Sequence, residues 1–270
     1  MDYLELKIDD KSGEHRDIIL ARLSEEGFES FIEEQESLVA YIPAASFNKK
    51  KIELLLSGYG VSWQYSVIPE MNWNEEWEKH YDPVLISDKC FIRAPFHPPL
   101  KGIQFDIIIE PKMSFGTAHH ETTALMIKLM MESKFTGRKV LDIGCGTGVL
   151  AILAHKLGAS DVVAADIDDW SYQNCLENIE RNKAGNIRVV LGNVKTIKDK
   201  GFDIILANIN RNVLLGDMPD YSRLISGGEL FLSGFYKEDI PVIIEKAEQT
   251  GFKFLTMMTK NNWVGMKFLK

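Results

Sequence analysis

Along residues 3–68 the apolar positions switch between a period of two and a helical period. Residues 3–8 alternate like a half-buried strand, and 14–27 carry Ile18, Ile19, Leu20 and Leu23 at helical spacing, with Gly27 as a stop. Residues 28–34 and 38–42 read as a hairpin, 46–56 as a second amphipathic helix and 61–68 as a last alternating strand. This βαββαβ order is that of the ferredoxin-like fold. Pro69 to Pro83 reads as a linker with a short helix over 72–80, on which Trp73 and Trp77 share one face. The expected organisation is a small α+β domain over 1–69, a linker helix at 70–83 and a larger domain over 84–270.

The larger part begins with strand-like runs at 84–86, 90–94 and 104–109, interrupted by the proline-rich stretch 95–99. Short apolar runs then alternate with helical segments: strands are expected at 140–143, 162–166, 187–191, 202–207 and 229–233. Such alternation predicts a parallel sheet covered on both faces. The end differs, because 252–258 and 263–269 flank the short turn Thr259-Lys-Asn-Asn262 and read as an antiparallel hairpin.

One junction stands out. Lys139-Val-Leu-Asp-Ile-Gly-Cys-Gly-Thr-Gly148 ends an apolar strand in Asp142 and then places Gly144, Gly146 and Gly148 at alternate positions, with a helical stretch following at once. Glycines there let the chain turn sharply and approach a ligand, beside the electropositive start of a helix. The dinucleotide fingerprint G-x-G-x-x-G/A requires a small residue where Val149 stands, so it is not met. D-x-G-x-G-x-G instead resembles the first motif of class I S-adenosylmethionine-dependent methyltransferases. That resemblance implies a Rossmann-like, seven-stranded sheet closed by a terminal antiparallel hairpin, with the glycine turn under the methionine part of the cofactor.

Asp166 ends the next apolar strand, 22 residues beyond Gly144, where an acid accepts ribose hydroxyls in nucleotide-binding α/β folds. Asp168 competes for that task, and Asp169 is read as the cap of the following helix. Asn193 follows the third strand as a receiver of the adenine amine or a simple turn residue. Asn208 ends the fourth strand, where reacting groups gather in open α/β sheets, and its amide oxygen can accept hydrogen bonds from an incoming amine. The alternative for Asn208 is a cap on the helix from Arg211. Ahead of the glycine motif, Phe115 and Gly116 form a turn able to lie over a ligand, and Thr122 and Thr123 are expected to cap the helix at 124–131. His119-His120-Glu121 is not read as a metal site, since adjacent histidines on an extended chain diverge and no second cluster completes the set.

F-G-T-x-x-H-x-T-T before V-L-D-I-G-C-G-T-G, then V-x-x-A-D-I-D and A-N-I, resembles the PrmA family of ribosomal protein methyltransferases; N-W-N-E-E-W-E-K-H-Y-D-P over 72–83 is similar to that family's linker. The resemblance covers most of the chain. It implies methylation of lysine and/or N-terminal amino groups on the eleventh protein of the large ribosomal subunit, and cofactor contacts at Thr123, Gly144, Asp166 and Asn208. Two stretches depart from the family pattern. Gly116-Thr-Ala-His-His-Glu-Thr-Thr123 stands where G-T-G-T-H-P-T-T is common, and Asn208-Ile-Asn-Arg211 where N-I-L-A is common.

Composition narrows the remaining classes. Of the net charge of −8, residues 1–70 carry −7, with seven basic against fourteen acidic side chains. An acidic front and a nearly neutral body argue against direct nucleic-acid binding and suit a basic protein partner. No signal peptide or membrane-length apolar run is evident, and Cys90, Cys145 and Cys175 show no C-x-x-C spacing, so a cytoplasmic protein is expected. Cys145 is read as a small side chain tolerated in a crowded turn. The alternatives are a methyltransferase for RNA, DNA or a small molecule, against which the segment after Asn208 lacks an aromatic for stacking a flipped base, and a cofactor-binding assembly factor with little turnover.

Overall fold

Leu4, Leu6 and Ile8 are buried while the residues between them are partly exposed, so the first strand, β1 (Tyr3–Asp9), has one wet face. The computed structural model describes residues 2–11, 13–68, 81–112 and 114–270, and the chain divides into two compact units, 1–81 and 82–270.

In the first unit, α1 (Arg16–Glu25), β2 (Ser30–Glu33), β3 (Ser37–Pro43), α2 (Lys49–Leu56) and β4 (Ser62–Ile68) follow β1. The strands pair antiparallel in the order β2-β3-β1-β4, the ferredoxin-like arrangement. Ile19 and Leu23 of α1 and Ile52 and Leu56 of α2 pack on the buried side chains of β1 in one core. Helix α2 starts later than the periodicity predicts because Asn48 caps it, accepting the Lys51 N–H at 3.3 Å, and Ala44–Ser46 form a separate 3₁₀ turn. The expected helix over 72–80, with Trp73 and Trp77, lies outside the described residues.

The second unit opens with a three-stranded sheet, β5 (Val84–Ile86), β6 (Cys90–Arg93) and β7 (Phe105–Ile108). Then come α3 (Glu121–Met131), β8 (Lys139–Ile143), α4 (Val149–Lys156), β9 (Asp161–Asp166), α5 (Asp169–Arg181), β10 (Ile187–Leu191), β11 (Phe202–Asn208), α6 (Arg211–Leu224), β12 (Ile225–Tyr236), α7 (Ile240–Gln249), β13 (Lys253–Lys260) and β14 (Trp263–Leu269). The seven strands β8–β14 order as β10-β9-β8-β11-β12-β14-β13. The first five are parallel, while β14 runs antiparallel to both β12 and β13.

Alternate residues of one strand feed different cores. Val140, Val162 and Ile204 join the cluster containing α3 and α4, and Leu141, Val163 and Ile205 join the one containing α6 and α7. Both faces are therefore dry, as the apolar runs require. The chain leaves β8 for β9 on one side and returns to β11 on the other. That reversal opens a crevice at the carboxyl ends of β8 and β11, where ligands bind in open α/β sheets.

Candidate active site

The crevice floor is the turn after β8. Gly144, Gly146 and Gly148 adopt φ of 69°, 53° and 79°, the left-handed region that side chains disfavour. At Gly146 a Cβ would also stand 2.2 Å from the Phe115 carbonyl oxygen, so the turn has no room for any other residue. The segment before α3 is stitched onto it: the Thr147 N–H donates to Phe115 O at 2.9 Å, and Thr147 Oγ1 to Gly116 O at 2.7 Å. From beneath, Asn178 of α5 donates to Thr147 O at 3.0 Å and accepts the Glu110 N–H at 2.9 Å, tying the turn to the chain just past β7. Cys145 is buried in the turn, and a hydrogen bond to Cys175 together with burial pushes its thiol well above the ordinary range, so it is no nucleophile.

Asp142 completes the turn from below. Helix α4 begins at Gly148, which has no side chain to cap it, and the Ala151 N–H donates instead to Asp142 Oδ2 at 3.1 Å. Asp142 Oδ1 is buried with no partner among the described residues. Burial, reinforced by the nearby charge of Asp166, pushes the Asp142 carboxyl up to about 7.

Asp166 sits at the end of β9 and bridges to the turn, accepting the Gly146 N–H at 2.8 Å on one oxygen and the Asp168 N–H at 3.1 Å on the other. Asp168 is committed elsewhere. It, and not Asp169, caps α5, accepting the Trp170 and Ser171 N–H groups at 3.4 and 3.3 Å. Asn193 likewise caps the short 3₁₀ turn Val194–Thr196, accepting the Lys195 N–H at 3.0 Å.

At the opposite end, helix α3 starts at His120, whose Nδ1 accepts the Thr122 N–H at 3.3 Å. Thr122 and Thr123, expected as caps, instead lie buried in the first turn. The extended ψ of His120 makes it the last non-helical residue, three earlier than the apolar periodicity indicates. Thr123 is thereby free to face Asn208, whose Nδ2 donates to Thr123 Oγ1 at 3.3 Å. The side-chain oxygen of Asn208 is left buried and without a hydrogen-bond partner among the described residues. Asn208 is not a helix cap; Asn210 caps α6 by accepting the Val213 N–H at 3.2 Å.

These groups meet at a cavity of about 460 Å³, within the range of small-molecule sites. Phe115, Gly144, Gly146, Asp166, Asn193 and Asn208 all line it, and Thr123 stands behind Asn208 rather than on the wall. Sequence reasoning did not single out Ile167, Val213, Asp217 or Trp263, which also line it, and it weighed His120 only as a metal ligand and as part of the family motif. For Ile167 the signal was available, an apolar residue directly after the strand-end acid; the structure leaves it 75% exposed. For the aromatic wall beyond Phe115 there was none. Phe115 meets His120 at 5.2 Å between ring centres, His120 meets Trp263 at 4.6 Å, and Trp263 meets Tyr236 at 4.1 Å, four rings drawn from separate parts of the chain.

A model of the family described as ribosomal protein L11 methyltransferase (PrmA) matches residues 6–270. The chain belongs to the PrmA family. Curated relatives with the name ribosomal protein L11 methyltransferase include one from Porphyromonas gingivalis, 49% identical over 93% of this chain and 90% of its own. Another, from Bacteroides fragilis, is 43% identical over 94% and 93%. The crystal structure of the ribosomal protein L11 methylase from Lactobacillus delbrueckii subsp. bulgaricus superposes with a TM-score of 0.65 and 29% identity, over 70% of this chain and 98% of that one. A methyltransferase from Pyrococcus furiosus, at 21% identity and a TM-score of 0.52 over 61% and 89%, shares the fold.

Membership in PrmA makes S-adenosylmethionine the cofactor, and the cavity fits it. Gly144 and Gly146 line the cavity with backbone alone. One wall is a carboxylate, another an exposed isoleucine, and the far end holds a buried acceptor oxygen in need of a donor. Asp166 would hold the ribose, Ile167 the flat base and the turn the amino-acid end. No trio of His, Cys, Asp or Glu able to hold a metal occurs among the described residues, and no helix among them is long and apolar enough to cross a membrane.

Proposed function

We propose that this chain methylates lysine and/or N-terminal amino groups of ribosomal protein L11 in the cytoplasm, with Asn208 as the residue that aligns the amine. The supporting observation is the orphaned oxygen of Asn208. Its amide nitrogen donates to Thr123, which leaves the oxygen as the unpartnered acceptor of a residue that lines the cavity. A buried acceptor without a partner is costly, and an incoming amine N–H satisfies it.

S-adenosylmethionine supplies an activated methyl group, so transfer forms one N–C bond, breaks one C–S bond and leaves a neutral thioether. The task of the protein is alignment. Asn208 accepts one N–H of the amine and turns its lone pair inward. A lysine in water has a pKa near ~10.4, and withdrawal between Phe115, His120 and Trp263 favours its neutral form without a dedicated carboxylate base. The proton displaced by each methyl leaves to water.

The first unit is the proposed reader of the substrate. Its residues 1–70 carry −7 of the net charge of −8, complementary to a basic ribosomal protein, and neither nucleic acid nor membrane is a partner on this reading. The test is labelled S-adenosylmethionine supplied with whole-cell extract, followed by mass spectrometry of the product. One small labelled protein carrying methylated amines supports the proposal. Labelled nucleic acid or small molecules, or no label, would overturn it.

A further inference from the structure

At the base end of the cavity is a carboxyl group that the transfer reaction leaves without a task. Val213 and Asp217 lie one turn apart on α6, so they share a face, and both line the cavity together with Ile167 and Asn193. Asp217 makes no hydrogen bond or ion pair among the described residues. Partial burial pushes its carboxyl above the ordinary range, with Lys195 opposing. A half-buried carboxyl at the wall of a ligand cavity is disfavoured unless the ligand brings a donor to it.

Its neighbours are already engaged. Asn193 uses its side-chain oxygen on the Lys195 N–H at 3.0 Å, which leaves its NH₂ as a donor only. Ser171, also on the wall, donates its hydroxyl to Asp168 at 3.0 Å. Among the described residues at this end, Asp217 is the acceptor side chain with no engagement of its own, and the amide of Asn193 is a free donor. Adenine carries the complement on its Watson–Crick edge, an exocyclic amine that donates and a ring nitrogen that accepts.

We infer that Asp217 is the specificity-determining residue for the adenine amine, and that Asn193 serves the ring nitrogen beside it. The sequence left Asn193 as a receiver of the amine or a simple turn residue; the cap that holds its oxygen moves the first role to Asp217. The inference rests on the reading that this cavity holds S-adenosylmethionine.

Calorimetric titration with S-adenosyl-L-homocysteine and S-inosyl-L-homocysteine tests it without turnover. The inosyl compound replaces the amine by a carbonyl and puts a hydrogen on the ring nitrogen, inverting both contacts. The native protein should prefer the adenosyl compound by about tenfold or more. Asp217→Ala should weaken that compound by about tenfold and change the inosyl compound less than about twofold. Asp217→Asn keeps the shape but offers a donor as well as an acceptor, so it should still bind the adenosyl compound and lose most of the preference, at an unchanged melting temperature. Equal weakening of both compounds by Asp217→Ala, or a preference that survives it, overturns the inference and leaves the cavity assignment standing. An Asp166→Ala variant that binds the adenosyl compound as tightly as the native chain would overturn both.

Discussion

Asp142→Asn should make the chain more stable above neutral pH and leave its stability unchanged near pH 4. Asp142 is wholly enclosed at the end of β8, with one oxygen on the Ala151 N–H and the other unpartnered. Its carboxyl is moved from the ordinary 3.8 to about 7, and ionising it inside the native protein therefore costs roughly 4 kcal/mol more than in the unfolded chain. The native state holds this proton more tightly than the unfolded state does. Unfolding free energy should then fall by about 1.4 kcal/mol per pH unit between about 4 and 7, and level off above. Asparagine has the same shape, still accepts from Ala151 and cannot ionise. The difference between the two proteins should grow from near zero at pH 4 to a ceiling of about 4 kcal/mol at pH 8. Urea unfolding of both proteins across this range reads it directly, because every other titration is common to the pair. A difference that stays flat with pH would refute the argument, and so would one that grows toward acid.

Other positions give equally direct outcomes. Asn208→Ala should lower kcat about a hundredfold while the dissociation constant for S-adenosyl-L-homocysteine changes little, measured by single-turnover kinetics and calorimetry. Gly146→Ala places a Cβ against the Phe115 carbonyl at a left-handed φ, so it should destabilise the chain by about 2–3 kcal/mol and abolish cofactor binding, seen by thermal melting and calorimetry. Tyr221 is fully buried with no hydrogen-bond partner for its hydroxyl among the described residues, so Tyr221→Phe should stabilise the chain by about 1 kcal/mol in urea, with turnover unchanged.

The parts of the molecule legible in the sequence are those whose physics is local. The glycine turn, the apolar strands and the strand-end residues Asp166 and Asn208 each follow from a few consecutive positions, and together they fix the floor of the cavity. Helix starts were misplaced by one to three residues at Asp168 and His120, because a cap is decided by one ψ angle rather than by periodicity. Of the aromatic wall only Phe115 could be read; that it meets His120, Tyr236 and Trp263 could not. Those rings come together only when β14 is inserted between β12 and β13, which sets Tyr236 opposite Trp263 in the ladder. The buried amide of Asn178 and the half-buried one of Asn182 belong with them. On a helix such residues look like ordinary polar positions, until β7 and the stretch after it are found leaning on them through the Ile108 and Glu110 N–H groups.

The two stretches that depart from the family pattern can now be placed, and they fall on the rim of the cavity rather than on its floor. Glu121 stands in the first turn of α3, where a negative charge suits the helix, and accepts from Asn261 Nδ2 at 3.0 Å; that bond holds its carboxyl below the ordinary range. Arg211 pairs with Asp239 at 2.7 Å, and Asp239 in turn accepts the Tyr236 N–H at 3.1 Å. The first contact ties α3 to the turn of the terminal hairpin, and the second ties α6 to the residue that packs on Trp263. Thr123 and Asn208 keep their mutual bond, and the turn after β8 touches none of the substituted positions through its hydrogen bonds. Changes at Glu121 and Arg211 should therefore act on how an acceptor chain enters between the aromatic rings, through KM for the protein substrate, and leave the affinity for S-adenosyl-L-homocysteine untouched. A Glu121→Pro variant that loosened the binding of that small ligand would show instead that rim and floor form one mechanical unit.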